Sequence, residues 1–340
     1  MAATAAGGTG KKTLEDDQSE HLAPKQVIDK IRLDRFRIGA ASESSSSGGG
    51  QETLVWALNN VLKGVAVNVN SEADHCVEEL VQNVRDAQLS LPEGEKGVLE
   101  IRLLRRDPLN CIHRQDWLDH DMDAKHPVPE ECIQDRGCLL LVYNERGFRG
   151  TDVDAICDLG RSTKKDAGGK FVGEKGQGFK SVFRVAEFAY ILSDQPDSQY
   201  FFRQRKHEHP DAGVWLVVPD FIQKESIPTD IRELIKGKTC IALSIGTPES
   251  SRDPDAHYNT IYDKLTTKLL PECFLFLDKP DTIKISAERP DGTRTDERVL
   301  ERKVVMHSQQ EGYSLVVLSL RVEGGGGGGG AAAAAAASAG

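Results

Sequence analysis

Apolar positions recur along this chain with two different periods, and the switch between them organises it. Residues 25–37, KQVIDKIRLDRFR, set Ile28, Ile31 and either Leu33 or Arg35 near helical spacing, which predicts a short helix. ETLVWALNNVLKG (52–64) places Leu54, Leu58, Val61 and Leu62 on one stripe that ends at Gly64. A stronger helix follows, with Ser71 as a cap, Asp74 as a first-turn acid, and a stripe of Val77, Leu80, Val81 and Val84. From Gly97 to Leu104 the period changes to that of a strand. CLLLVYN (138–144) is a continuous apolar run, the pattern of a strand covered on both faces.

Beyond it, TDVDAICDLG (151–160) predicts a short helix ended by Gly160, and AEFAYILSD, QYFFRQ and GVWLVVPD predict successive antiparallel strands. Helices are expected over 228–236 and 255–270, and strands over 238–245, 281–287, 299–307 and 313–322. Helices come first, then a mixed and mostly antiparallel sheet. That order predicts an α+β protein, a two-layer α/β sandwich with helices over one sheet, rather than a βαβ array.

The remaining segments bound the folded part. Residues 1–24 are a small, polar and charged tail, 25–39 the short helical segment, and 40–50 (AASESSSSGGG) a Ser/Gly linker. Residues 51–250 carry the main domain, 251–323 a helix and β extension, and 324–340 a Gly/Ala tail without the means of making a core. The net charge of −10 argues against a general nucleic-acid binder but leaves room for a local basic cradle. No apolar run is long enough to cross a bilayer, and the N-terminus has no hydrophobic signal segment. Together with seven scattered cysteines and no C-x-x-C, this predicts an intracellular protein, nuclear or cytoplasmic. Cys111, His113, His120, His126, Cys132 and Cys138 are zinc-ligand types within one polar stretch, but their spacing matches no zinc module.

Four elements carry candidate chemistry. In EELVQNVRDAQ, Glu79, Asn83 and Asp86 stand at i, i+4 and i+7, on one face of a helix. An amide oxygen such as that of Asn83 is a hard ligand for magnesium, and Glu79 can orient or deprotonate a water. In GEKGQGFKSVFRV, Gly173, Gly176 and Gly178 leave the backbone bare ahead of an apolar run from Phe179 that predicts a helix start, with Lys175, Gln177 and Lys180 beside it. Bare N–H groups at a helix start bind phosphate, and the two lysines would add positive charge. The spacing is neither a dinucleotide fingerprint nor a P-loop. In VYNERGFRGTD, a buried strand ends in a polar turn at Asn144, Glu145 and Gly147, where either Asn144 or Glu145 can accept from a base amino group. In GKTCIALSI, Thr239 opens a strand and can hydrogen-bond the same base.

In this order the four elements resemble the nucleotide site of the GHKL ATPase superfamily, shared by gyrases, heat-shock chaperones and histidine kinases. Glu79, Leu80, Asn83, Asp86 and Ala87 match its metal helix, and Gly173, Gly176, Gly178 and Phe179 its phosphate box. The sacsin and NO VEIN-like branch fits best, through IDKIRLDRF, YNERGF, CDLGRSTKK and KGQGFKSVFRV. The resemblance implies the Bergerat fold, ATP and Mg2+ as ligands, and slow hydrolysis in a chaperone-like or regulatory module. It implies Glu79 as the catalytic residue and Asn83 as the metal ligand. It also implies a lid over 148–172 with Ser162, Thr163 and Lys164, and a protein partner or a second copy of the chain. Two departures stand out. No Asp follows the strand at Asn144, and Arg85 stands within the metal helix. A catalytically inactive nucleotide-sensing or protein-interaction module is the alternative expectation.

Overall fold

The computed structural model describes residues 22–36, 38, 59, 75–112, 135–158, 178–206, 216–247, 253–268, 274, 277–295, 297–308, 313–323 and 332–339. The stretch expected as a helix over 52–64, apart from residue 59, together with 113–134 of the polar stretch 106–137 and 159–172 of the lid, lies outside them. In chain order come α1 (Pro24–Phe36), α2 (His75–Gln88), β1 (Val98–Leu104), β2 (Cys138–Tyr143) and α3 (Gly150–Ile156). A 3-10 helix (Gly178–Arg184) leads into β3 (Ala186–Gln195), β4 (Ser198–Arg205) and β5 (Asp220–Phe221). Then follow α4 (Thr229–Ile235), β6 (Thr239–Ile245), α5 (Ala256–Asp263), β7 (Thr282–Ala287), β8 (Glu297–Ser308), β9 (Tyr313–Glu323) and β10 (Ala332–Ala339).

The protein is α+β around one mixed sheet of order β10-β9-β8-β7-β1-β2-β6-β3-β4-β5. Only the β1–β7 pairing is parallel; the other neighbours run antiparallel. The sheet crosses position 250, because β7 pairs with β1, so the expected C-terminal extension continues the sheet of the main domain. The alanine run also belongs to it: β10 pairs with β9 from Ala332↔Leu320 to Ala339↔Tyr313. Backbone hydrogen bonding needs no side-chain volume, which is why a composition without core-forming residues still supplies an edge strand.

Side-chain alternation separates the two faces. On one face, Leu99, Ile101, Leu139, Leu141, Ile241 and Leu243 pack with Val77, Leu80, Val81 and Val84 of α2 and with Tyr258 and Ile261 of α5. Toward the β5 edge, Ile191 and Phe202 pack with Val27, Ile28 and Ile31 of α1 and with Val153 and Cys157 beside α3. On the opposite face, Leu140, Val142, Tyr190 and Leu192 meet Ile231 and Ile235 of α4 and Leu109 and Ile112. Every residue of β2 is therefore buried, as the unbroken apolar run requires. The run GVWLVVPD behaves differently. Leu216 has φ +61°, a left-handed value that breaks an extended strand, and among the described residues of this segment only Asp220–Phe221 joins the sheet. Among the described residues, no helix is long and apolar enough to cross a membrane.

Candidate functional site

The helical face of the sheet is where the sequence-predicted chemistry collects. On α2 the stripe Cys76, Val77, Leu80, Val81 and Val84 is buried against the strands. Glu79 and Asn83 stand one turn apart on the flank of that stripe and are half-buried. Such a flank keeps polar heads at the edge of the core instead of in open solvent. His75 lies near both neighbouring acids, with Nδ1 4.0 Å from Glu79 Oε1 and Nε2 3.8 Å from Glu78 Oε2. The first turn is tied to the end of α5 by Lys264 on Glu78, at 2.5 Å. The 3-10 helix that follows the glycine loop packs against α2.

Arg85 anchors the last turn of α2. Its guanidinium holds both oxygens of Asp278 at 2.6 and 2.9 Å and Asp86 Oδ1 at 2.8 Å. Burial works against the charge, but the hydrogen bonds to Asp278 and Asp86 more than offset it and raise the Arg85 pKa. Asp86, expected among the ligand contacts, is almost fully buried, and this ion pair holds one of its oxygens.

The turn after β2 divides the work between two residues the sequence left as alternatives. Asn144 is spent on the fold. Its Oδ1 accepts from Val98 N–H at 2.8 Å and Gln88 Nε2 at 3.2 Å, and its Nδ2 donates to Lys96 O at 2.9 Å and Glu95 Oε1 at 3.1 Å. Two donors and a carbonyl with two bonds leave it nothing to offer a base. Glu145 is different. Its carboxyl is largely buried, and Oε1 has no hydrogen-bond partner among the described residues. Burial pushes its pKa up to about 7, a hydrogen bond from Thr239 pulls in the other direction, and the charge of Asp152 adds to the rise. Thr239 and Glu145 meet because β2 and β6 are paired with Tyr143 opposite Thr239, two residues before Glu145. Thr239 Oγ1 and the Oγ of Ser193, on the neighbouring strand β3, lie 2.9 Å apart and share a hydrogen bond.

Ser193 and Asp152 complete this corner, and the sequence motifs point to neither. Ser193 is legible only as a lone hydroxyl in the buried run AEFAYILSD, and nothing local tells that it faces Thr239. Asp152 accepts from the Arg149 N–H at 2.9 Å at the start of α3, and burial raises its pKa. Gly147 has φ +93°, and a Cβ there would sit 2.8 Å from Gln195 Cγ and 2.9 Å from Ser198 Cβ. Both the left-handed backbone and the contact with β3 and β4 require glycine. We expect Gly147→Ala to lower stability by about 1–3 kcal/mol in a urea unfolding titration. An unchanged midpoint would contradict this.

The phosphate end is less complete. Ser162, Thr163, Lys164, Gly173, Lys175, Gly176 and Gln177 lie outside the described residues. Gly178 and Phe179 begin the helical turn expected there, but it is a 3-10 helix. Lys180, expected as charge beside the phosphates, is instead buried. Its ammonium donates to Ile156 O at 2.5 Å, Gln204 Oε1 at 2.8 Å and Leu216 O at 3.1 Å. Among the described residues no cluster of His, Cys, Asp and Glu forms a metal site, and Cys138 of the zinc-type set is buried within β2.

Known proteins share parts of this chain. Residues 108–209 match the Sacsin domain family, a stretch that includes β2, the Asn144–Gly147 turn, α3 and the glycine loop. Protein NO VEIN of Arabidopsis thaliana is 27% identical over 254 residues, which is 72% of this chain. The chain spans 8% of the length of that relative.

Proposed function

We propose that this chain, similar to Sacsin-domain proteins and to Protein NO VEIN, is a Bergerat-type two-layer module that binds ATP with magnesium and hydrolyses it slowly. The observation that carries the reading is the meeting of Glu145 and Thr239 on the helical face. They come from two motifs 94 positions apart, and each motif by itself offers a hydrogen-bonding group to the base. A buried carboxyl with an open oxygen, beside a hydroxyl, is a recognition edge for a base amino group. The same layer presents Glu79 and Asn83 from α2 and leads into the glycine loop.

Magnesium fits the residues present, since the Asn83 amide oxygen is a hard donor on a half-buried flank. When bound, the ion would offset the charge of the phosphates. Glu79 would orient and deprotonate the attacking water. Gly173, Gly176 and Gly178 would receive the phosphates through backbone N–H groups. Arg85 does not disturb this arrangement, because Asp278 and Asp86 hold its guanidinium.

A second reading, a nucleotide-sensing module without turnover, draws on Lys180 and Asn144. Two groups that the sequence offered to a ligand serve the fold instead. Isothermal titration with ATP, with and without magnesium, tests the shared premise. Saturable, magnesium-dependent binding is expected, and an absence of heat up to millimolar nucleotide would sink both readings.

A further inference from the structure

Resting on the nucleotide reading, the path of the turn after β2 brings a second group to the base. The turn is held at both ends. Asn144 ties its start to Lys96 and Val98 beside β1, and the Phe148 carbonyl accepts from the Ser198 hydroxyl at the start of β4. In the sheet, β6 and β3 lie between β2 and β4, so residues 145–147 cross past the start of β6 and the end of β3. Gly147 lands on Gln195, the last residue of β3: a Cβ there would sit 2.8 Å from Gln195 Cγ and 3.0 Å from Gln195 Cβ. Two residues of chain span at most about 7 Å, so Glu145 and Gln195 are placed to reach one purine together. Tyr143, Thr239 and Ser193 share one row across β2, β6 and β3. Glu145 and Gln195 each follow that row by two positions, along chains that run the same way.

Each of the two side chains ends in a buried atom that the fold does not use. Glu145 Oε1 and Gln195 Nε2 are shielded from solvent, and neither has a hydrogen-bond partner among the described residues. Gln195 as a whole is 9% exposed. One atom accepts and the other donates, yet they do not satisfy each other. The nearby carboxyl favours the amide with its nitrogen inward, since the reverse would set two acceptors side by side. A buried donor and a buried acceptor that miss each other call for a third group carrying the complementary pair.

Adenine carries that pair. Its 6-amino group donates, and the ring nitrogens on either side of it, N1 and N7, accept. We propose that Gln195 is a second base-reading residue of the site, its Nε2–H donating to a ring nitrogen of the adenine whose 6-amino group donates to Glu145 Oε1. Gln195 belongs to none of the motifs that offered ligand contacts in the sequence. It reaches the base only because Gly147 brings the turn down onto the end of β3. A ligand that lacks the ring nitrogen leaves the buried amide donor unmet, and that is what makes such a contact selective.

The test is calorimetric binding of ATP, 1-deaza-ATP and 7-deaza-ATP, each with magnesium, to the full chain. All three carry the same 6-amino group and triphosphate, so only the ring nitrogen differs. Wild type is expected to bind one deaza nucleotide about tenfold or more weakly than ATP, because a C–H then faces the buried donor, and the other within about twofold. Gln195→Met, unbranched and of similar length, is expected to bind ATP about tenfold more weakly and to lose the discrimination against the rejected analogue. Gln195→Leu carries the same expectation and covers the case in which methionine disturbs the packing under Gly147. Equal wild-type affinity for all three nucleotides would overturn the proposal without any variant and leave the nucleotide reading standing. Unchanged ATP affinity in the variants would overturn it too. So would variants that bind all three nucleotides more weakly yet keep the wild-type discrimination, the mark of a residue that only supports the turn. No binding of ATP by wild type is a different result: it removes the nucleotide reading itself, and the role of Gln195 with it.

Discussion

Glu79→Ala is expected to bind ATP with nearly wild-type affinity and to hydrolyse it about a hundredfold more slowly in single turnover. That loss corresponds to about 2.7 kcal/mol of barrier. The expectation follows from where the side chain stands. Glu79 lies on the flank of α2 with 29% of its side chain exposed, and Nδ1 of His75 is 4.0 Å from its Oε1. Among the described residues, removing its carboxyl breaks no ion pair between α2 and another element; the helix is tied at Glu78 by Lys264 and at Arg85 by Asp278. Asn83→Leu should fail differently. It removes the oxygen proposed for magnesium, so binding in the presence of the metal should weaken by at least about tenfold while binding without it changes little. Equal hydrolysis by wild type and Glu79→Ala, with both binding ATP, would leave the nucleotide-sensing reading standing and end the enzymatic one.

How far this site could be read in advance depended on whether the deciding physics was local. The placement of Glu79 and Asn83 is local, because 3.6-residue periodicity sets both the buried stripe and its flank. The double burial of β2 was legible for the same reason: an apolar run without alternation has no solvent face. The choice between Asn144 and Glu145 was not legible. It is made by Val98, Lys96 and Glu95, which lie more than 40 positions earlier and consume the Asn144 amide. Only their arrival next to the turn leaves Glu145 as the group with an open oxygen.

The glycine-rich segment shows the limit most clearly. Glycines followed by Phe179 announced a helical turn, and one forms, but as 3-10 rather than α. Of the strand expected over 213–220, the described part, 216–220, reaches the sheet only at Asp220, because φ at Leu216 is a backbone choice for which hydrophobic patterning carries no signal. That same backbone choice serves Lys180, since the carbonyl of Leu216 is one of its three acceptors. A lysine two residues after a phosphate-loop glycine reads as ligand charge until tertiary contacts show otherwise.

Lys180 therefore gives a stability prediction of its own. Its ammonium joins Ile156 at the end of α3, Gln204 on β4 and Leu216 before β5, so one side chain stitches three separate segments. Lys180→Met keeps most of the volume but leaves the buried Leu216 carbonyl, the part-buried Ile156 carbonyl and the buried Gln204 amide oxygen short of a donor. Each unmet group costs about 1–3 kcal/mol, partly offset by no longer burying a charge. A net loss of about 2–4 kcal/mol is expected in denaturant unfolding. The pH dependence separates this from simple mispacking. Burial lowers the Lys180 pKa from 10.5 to about 8. Between those values the unfolded chain binds a proton that the folded one lacks, so stability attributable to Lys180 rises with pH across that window and is flat below it. Buried tyrosines and cysteines with raised pKa values act in the opposite sense, so the informative quantity is the difference between wild type and Lys180→Met. That difference should grow by about 1 kcal/mol per pH unit above about pH 8. A difference that does not change from pH 7 to pH 9.5 would show that Lys180 is not buried as a shared donor to these three segments.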